Sequence, residues 1–191
     1  MIFSDETIEQ YFDRFGFSPQ KDGIESYNIS HWGTKETQWV NFNTTVKMLE
    51  GENVKSLLDI GCGLGDLSKF ISQDIDYHGI DIFENVVKMA HDRNPNVDVQ
   101  IGDIFKYNPD KPIRKYDAVV CNGAFNVEYG IDKIVEALKI MKLLANKVVI
   151  LTISYADNDD IKQFRKVGFD IIPLKRLHDD KGDELCIIKW L

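Results

Sequence analysis

Residues 57–66 read Leu-Leu-Asp-Ile-Gly-Cys-Gly-Leu-Gly-Asp. An apolar run carries the carboxylate of Asp59 into three glycines, Gly61, Gly63 and Gly65, which alternate with Cys62 and Leu64. This pattern is a buried strand entering a tight glycine turn ahead of a helix. The glycines permit positive φ and let a ligand approach bare backbone. Asp81, 20 residues beyond Gly61, ends the apolar run His78-Gly-Ile-Asp-Ile82. A carboxylate has two acceptor oxygens and no donor, so it can take both hydroxyls of a ribose. A dinucleotide fingerprint would set its third glycine where Asp66 stands. The loop therefore suits a nucleotide-like ligand that rests no pyrophosphate on a helix end.

Two further clusters follow. In Gln100-Ile-Gly-Asp-Ile-Phe105, Asp103 can accept from an exocyclic amine while the Ile104 backbone reads a ring edge. In Tyr116-Asp-Ala-Val-Val-Cys-Asn-Gly-Ala-Phe125, Asn122 and Gly123 stand at the carboxyl end of a strand, where open α/β sheets place their ligands. Asp59 is a buried carboxylate that needs partners. It can brace the glycine-loop amides or meet an ammonium group.

These four stretches, in this order, resemble the class I S-adenosylmethionine-dependent methyltransferases over roughly residues 55 to 191. The resemblance implies S-adenosyl-L-methionine as cofactor. It assigns Asp59, Gly61, Cys62, Gly63, Gly65, Asp81, Ile82, Asp103, Ile104, Asn122 and Gly123 to the cofactor site. Asp81 would hold the ribose, Ile82 would pack on the adenine face, and Asp103 would meet the adenine amine. Asn122-Gly-Ala-Phe125 departs from the Asn-Pro-Pro-Tyr signature of enzymes acting on adenine or glutamine amino groups, which argues against a flipped-base substrate. Phe125 is either a wall for the acceptor or a buried aromatic.

The lead Tyr27-Asn-Ile-Ser-His-Trp-Gly-Thr-Lys-Glu-Thr-Gln38 mixes polar and aromatic types. Trp32, Lys35 and Gln38 are expected to close over the carboxylate of the donor. His31 is the general-base candidate by chemistry, because an imidazole titrates near neutrality. Tyr27 and Tyr129 are the alternatives. Methyl transfer from a sulfonium needs alignment and desolvation more than a dedicated nucleophile. No metal site is expected. Cys62, Cys121 and Cys186 lack ligand spacing, and Asp157-Asn-Asp-Asp160 stands where a helix needs a cap.

These residues need a scaffold. After Gly51 the pattern alternates strands and helices: strands over 56–60, 76–80, 97–101, 116–121 and 147–153, helices over 64–73, 85–94, 131–144 and 159–167. Two strands over 170–177 and 184–190 close the chain around the hairpin signal Asp179-Asp-Lys-Gly-Asp183. The expected fold is α/β: a seven-stranded, mostly parallel, doubly wound sheet with one antiparallel strand near the C-terminus and an N-terminal helical cap. Residues 1–50 form the cap or lid, with a helix over Lys35–Glu50, and residues 51–191 the Rossmann-like core.

The chain has 191 residues, 43% hydrophobic and 28% charged, with a net charge of −8. That is ordinary for one soluble domain. The acidic balance disfavours nonspecific attraction to nucleic-acid phosphates. The opening residues lack a signal-peptide pattern, and no apolar run approaches a membrane span. Free thiols fit a reducing cytoplasm. The expected function is methyl transfer to an oxygen or nitrogen of a small-molecule acceptor. The competing functions are RNA or protein methylation, a non-catalytic cofactor-binding module, and a nicotinamide-dependent oxidoreductase.

Overall fold

The computed structural model describes residues 35–108, 114–126, 130–154, 158–173 and 185–190. The described strands are β1 (Ser56–Ile60), β2 (Asp76–Asp81), β3 (Val99–Ile101), β4 (Tyr116–Asn126), β5 (Ala145–Ser154), β6 (Asp170–Pro173) and β7 (Leu185–Trp190). The helices are α1 (Lys35–Glu50), α2 (Glu84–Arg93), α3 (Ile131–Leu144) and α4 (Asn158–Lys166). The fold is an α/β Rossmann-like fold built on a parallel sheet.

The strands lie in the order β3-β2-β1-β4-β5-β7-β6. β1 pairs in parallel with β2 and β4, β2 with β3, and β4 with β5. β7 runs antiparallel to both β5 and β6. The strand order reverses beside β1, between its neighbours β2 and β4. Open α/β sheets bind ligands at such a switch point, outside the carboxyl ends of the strands.

Alternation along the strands feeds two cores. Leu58, Ile60, Val119, Cys121, Val149 and Leu151 face Ile134, Ala137, Leu138, Met141 and Leu144, which recur along one face of α3. The intervening residues Leu57, Ala118, Val120, Val148 and Ile150 face Phe42 and Leu49 of α1. Burial on both faces explains why β4 and β5 read as continuous apolar runs rather than alternating ones. α1 is thus packed into the core of the sheet. A third cluster sets Val87 and Ala90 of α2 against Cys62, Leu64, Val97 and Val99.

Three elements differ from the sequence expectation. The helix expected over 64–73 is a single 3-10 turn, Asp66–Lys69. Only ten residues separate Gly65 from Asp76. A helix of that length would span about 15 Å and leave no residues for the turns at its two ends. Gly65 enters the turn at φ 72°, and the Ser68 hydroxyl donates to the Gly65 carbonyl at 2.6 Å. β4 runs past Cys121 to Asn126, with an irregular register between Asn122 and Asn126. β3 starts at Val99, because Val97 closes a turn on the Asn94 carbonyl. Residues 1–34 and the 179–183 hairpin lie outside the described residues.

Candidate functional site

The glycine turn sits at the switch point. Gly61, Gly63 and Gly65 adopt φ of 66°, 56° and 72°, a region closed to most side chains. The Ile80 carbonyl at the end of β2 accepts from the amides of Gly61 and Cys62, at 2.8 and 3.1 Å. That pair of bonds ties the turn to the neighbouring strand. On the other side the turn meets the end of β4, because a Cβ built on Gly61 would overlap the Cβ of Ala124.

Asp81 closes β2 and is 7% exposed. Its Oδ2 accepts the Gly63 amide at 2.9 Å, and its Oδ1 accepts the Phe83 amide at 3.0 Å, at the start of α2. Burial raises its carboxyl above the usual range, and the backbone donors oppose that rise. The two carboxylate oxygens together can accept four bonds, and the backbone supplies three donors, Phe83, Gly63 and Ile82, so capacity remains for a ligand hydroxyl.

Asp59 is 3% exposed, between Gly79 of β2 and Val120 of β4. Its donor is the Tyr77 hydroxyl, at 2.8 Å. Gly79 has no side chain, so the Tyr77 ring can reach across that position. A Cβ on Gly79 would stand 2.7 Å from Cys62 Sγ and 3.1 Å from the Tyr77 oxygen. Burial pushes the Asp59 carboxyl up to about 7, the Tyr77 bond pulls it down, and the Asp81 charge raises it further. Burial also raises the Cys62 and Cys121 thiols, which are free and inert.

Asp103 caps the 3-10 turn at Ile104–Lys106 through the Phe105 amide, at 2.9 Å, and stands 3.6 Å from the Lys106 ammonium. The Ile104 side chain is in the core. Ile82 is 39% exposed and Ile101 59% exposed. They line a shallow cavity of about 580 Å³ together with Phe83, Glu84, Asn85 and Lys88. Phe125 is buried in the core and meets Phe105 edge to face.

Asn122 is 7% exposed at the carboxyl end of β4. Its Oδ1 accepts from the Thr45 hydroxyl of α1 at 2.9 Å. The next amide, Gly123, turns away at φ 69° and donates to the Thr152 hydroxyl at 2.9 Å. Gln38 and Thr45 are seven residues apart in α1, hence on one face, and both are buried. The sequence expectation named Gln38 and Asn122. It missed Thr45 and Tyr77, which hold Asn122 and Asp59. The signal was available: Gln38, Asn41 and Thr45 recur at helical spacing beside Phe42 and Leu49. Lys35 opens α1, and its side chain lies outside the described residues, as do Tyr27, His31, Trp32 and Tyr129. Among the described residues no group of three or more His, Cys, Asp or Glu side chains could hold a metal.

The family model of the methyltransferase domain matches residues 52–180. The chain belongs to this family of S-adenosylmethionine-dependent methyltransferases. The chain is 33% identical over 101 residues to a provisionally assigned methyltransferase of Invertebrate iridescent virus 6, covering 51% of this chain and 37% of that one. It is 34% identical over 84 residues to malonyl-[acyl-carrier protein] O-methyltransferase 2 of Ilyobacter polytropus, covering 40% of this chain and 30% of that one. The chain thus spans about a third of the length of these curated relatives. Among solved structures, magnesium protoporphyrin IX methyltransferase from Synechocystis PCC 6803, with S-adenosylmethionine bound, superposes with a TM-score of 0.62. The match covers 93% of this chain and 90% of that one at 21% identity, a likeness of fold.

Among the described residues, the buried polar atoms without a hydrogen-bond partner include Gln38 Nε2, Asp66 Oδ2 and Asn122 Nδ2. Gln38 Nε2 and Asn122 Nδ2 are donors, and Asp66 Oδ2 is an acceptor. Buried polar atoms are rarely left so without a reason. Among the described residues no helix is long and apolar enough to cross a membrane.

Proposed function

We propose that the chain transfers a methyl group from S-adenosyl-L-methionine to an oxygen or nitrogen of a small molecule. The observation that carries this reading is the Asp81 carboxylate, buried at the end of β2, fixed to the glycine turn by the Gly63 amide and keeping acceptor capacity beyond its backbone donors. A ribose hydroxyl is the complement of that arrangement.

The remaining polar atoms fit the same ligand. An amino-acid end carries an ammonium and a carboxylate. Asp66 Oδ2 is an acceptor for the first and Gln38 Nε2 a donor for the second. Gln38 also lies in the first turn of α1, where the helix dipole favours an anion. Ile82 offers an exposed apolar face for the adenine, and Asp103 an acceptor for its amine. When bound, S-adenosylmethionine supplies a methyl group already activated on a sulfonium. The protein then needs to position an acceptor beside Asn122 and exclude water. Trp32, Lys35 and the segment 1–34 are proposed to complete that enclosure, with His31, Tyr27 or Tyr129 as a base if the acceptor must lose a proton.

A small-molecule acceptor is favoured by charge. The chain carries −8 overall, and Arg114 is paired with Asp76. The names of the relatives add a porphyrin and an acyl-carrier-bound malonyl group as acceptors in this fold. The test is transfer of label from methyl-tritiated S-adenosylmethionine to three pools: a small-metabolite extract, bulk RNA and denatured cell protein. Label in the metabolite fraction supports the proposal. Label confined to RNA or protein overturns it.

A further inference from the structure

We infer that Thr45 and Asn122 make this an oxygen-selecting site whose acceptor presents a carboxylate. This rests on the methyl-transfer reading above and adds the substrate class to it.

An amide side chain offers one acceptor and one donor group, and a site can use either. Here the choice is made by α1. The Thr45 hydroxyl is fully buried and donates to Asn122 Oδ1 at 2.9 Å, which occupies the acceptor. The Nδ2 group is buried and has no partner among the described residues. Asn122 therefore presents N–H and withholds C=O. Its place is fixed as well. The following amide is held by the Thr152 hydroxyl, and Ala124, two residues on, packs against Gly61 of the glycine turn. The donor thus stands at the carboxyl end of β4, next to the turn that would hold the cofactor.

A buried N–H must meet a lone pair; an ammonium has none, and a neutral amine has a single one, which the methyl transfer itself needs. A site for a nitrogen acceptor would turn the amide oxygen outward. A carboxylate satisfies the donor with one lone pair and keeps others for attack. The step balances without a base. An oxygen lone pair forms the bond to the methyl carbon as the carbon–sulfur bond breaks, and the bonding pair goes to sulfur. The products are a methyl ester and S-adenosylhomocysteine, and no proton is released.

The experiment compares benzoate with benzylamine, matched in size, titrated at neutral pH into protein saturated with S-adenosylhomocysteine and followed by protein NMR. Benzoate is expected to bind at least tenfold more tightly. Asn122→Asp replaces the donor with an anion and is expected to abolish or reverse that preference. Thr45→Val frees the amide to rotate and is expected to erode the preference several-fold, while Thr45→Ser retains it. A purely structural Thr45 would change stability and leave the ratio intact, which would overturn its positioning role. Equal or stronger benzylamine binding to the wild-type complex overturns the carboxylate assignment. No binding of S-adenosylhomocysteine itself overturns the reading beneath both.

Discussion

The Gly63 amide donates to Oδ2 of Asp81 at 2.9 Å, joining the glycine turn after β1 to the acid that ends β2. The same carboxylate takes the Phe83 amide at the start of α2. One buried side chain therefore sets the turn, the strand end and the helix entry together.

That dual role separates two variants of Asp81. Asp81→Asn keeps the shape and one acceptor oxygen but loses the charge and replaces the other oxygen with a donor. It is expected to fold and to weaken S-adenosylhomocysteine binding by roughly 1.5 to 3 kcal/mol, the scale of hydrogen bonds to a charged group. Asp81→Ala leaves two buried amides without partners and is expected to lose stability as well, by about 1 to 3 kcal/mol. Calorimetry and urea denaturation measure the two effects separately.

Gly61→Ala tests the close approach of the turn to β4. The residue sits at φ 66°, and its new Cβ would overlap Ala124. The strained backbone alone is expected to cost about 1 to 2 kcal/mol, with the clash adding to it. A denaturation midpoint equal to that of the wild type would place the turn elsewhere.

Asp59 gives a pH dependence with a definite sign. Its folded pKa of about 7 lies above the ordinary carboxyl value of 3.8, so the native state binds the extra proton between these values. Its contribution is complete below about pH 4 and is lost as pH rises toward 7 and just beyond. Asp59→Asn is expected to flatten this slope and to gain on the wild type progressively from pH 5 to pH 8. Tyr77→Phe removes the bond that lowers the pKa and is expected to move the transition to higher pH. Urea denaturation across pH reads both.

Ile82 separates binding from folding. The side chain is 39% exposed, so Ile82→Ser is expected to change stability by no more than about 0.5 kcal/mol. Loss of its apolar contact with adenine is expected to weaken cofactor binding by about 1 kcal/mol. Equal affinities would remove Ile82 from the site.

The α/β pattern was legible because the parallel strands are buried on both faces and carry unbroken apolar runs, as in Val148–Leu151. Asp59, the glycines and Asp81 were legible because local spacing alone brings them together at the switch point. The 3-10 turn at Asp66–Lys69 was not, since apolar periodicity from Leu64 to Ile71 suits a helix and the limit comes from the distance back to β2. Thr45 and Tyr77 escaped for a different reason. Each acts through a partner far away in sequence: Asn122, 77 residues on, and Asp59, 18 residues back. Such pairs depend on the packing of α1 over the sheet and on the missing side chain at Gly79.

The most direct measurement is a calorimetric titration of the chain with S-adenosylmethionine, S-adenosylhomocysteine and NAD in parallel. Saturable binding of the two sulfur-bearing ligands, weakened by Asp81→Asn, with no heat from NAD, is the expected result. No binding of S-adenosylmethionine or S-adenosylhomocysteine at millimolar concentration, or a preference for NAD, would contradict it.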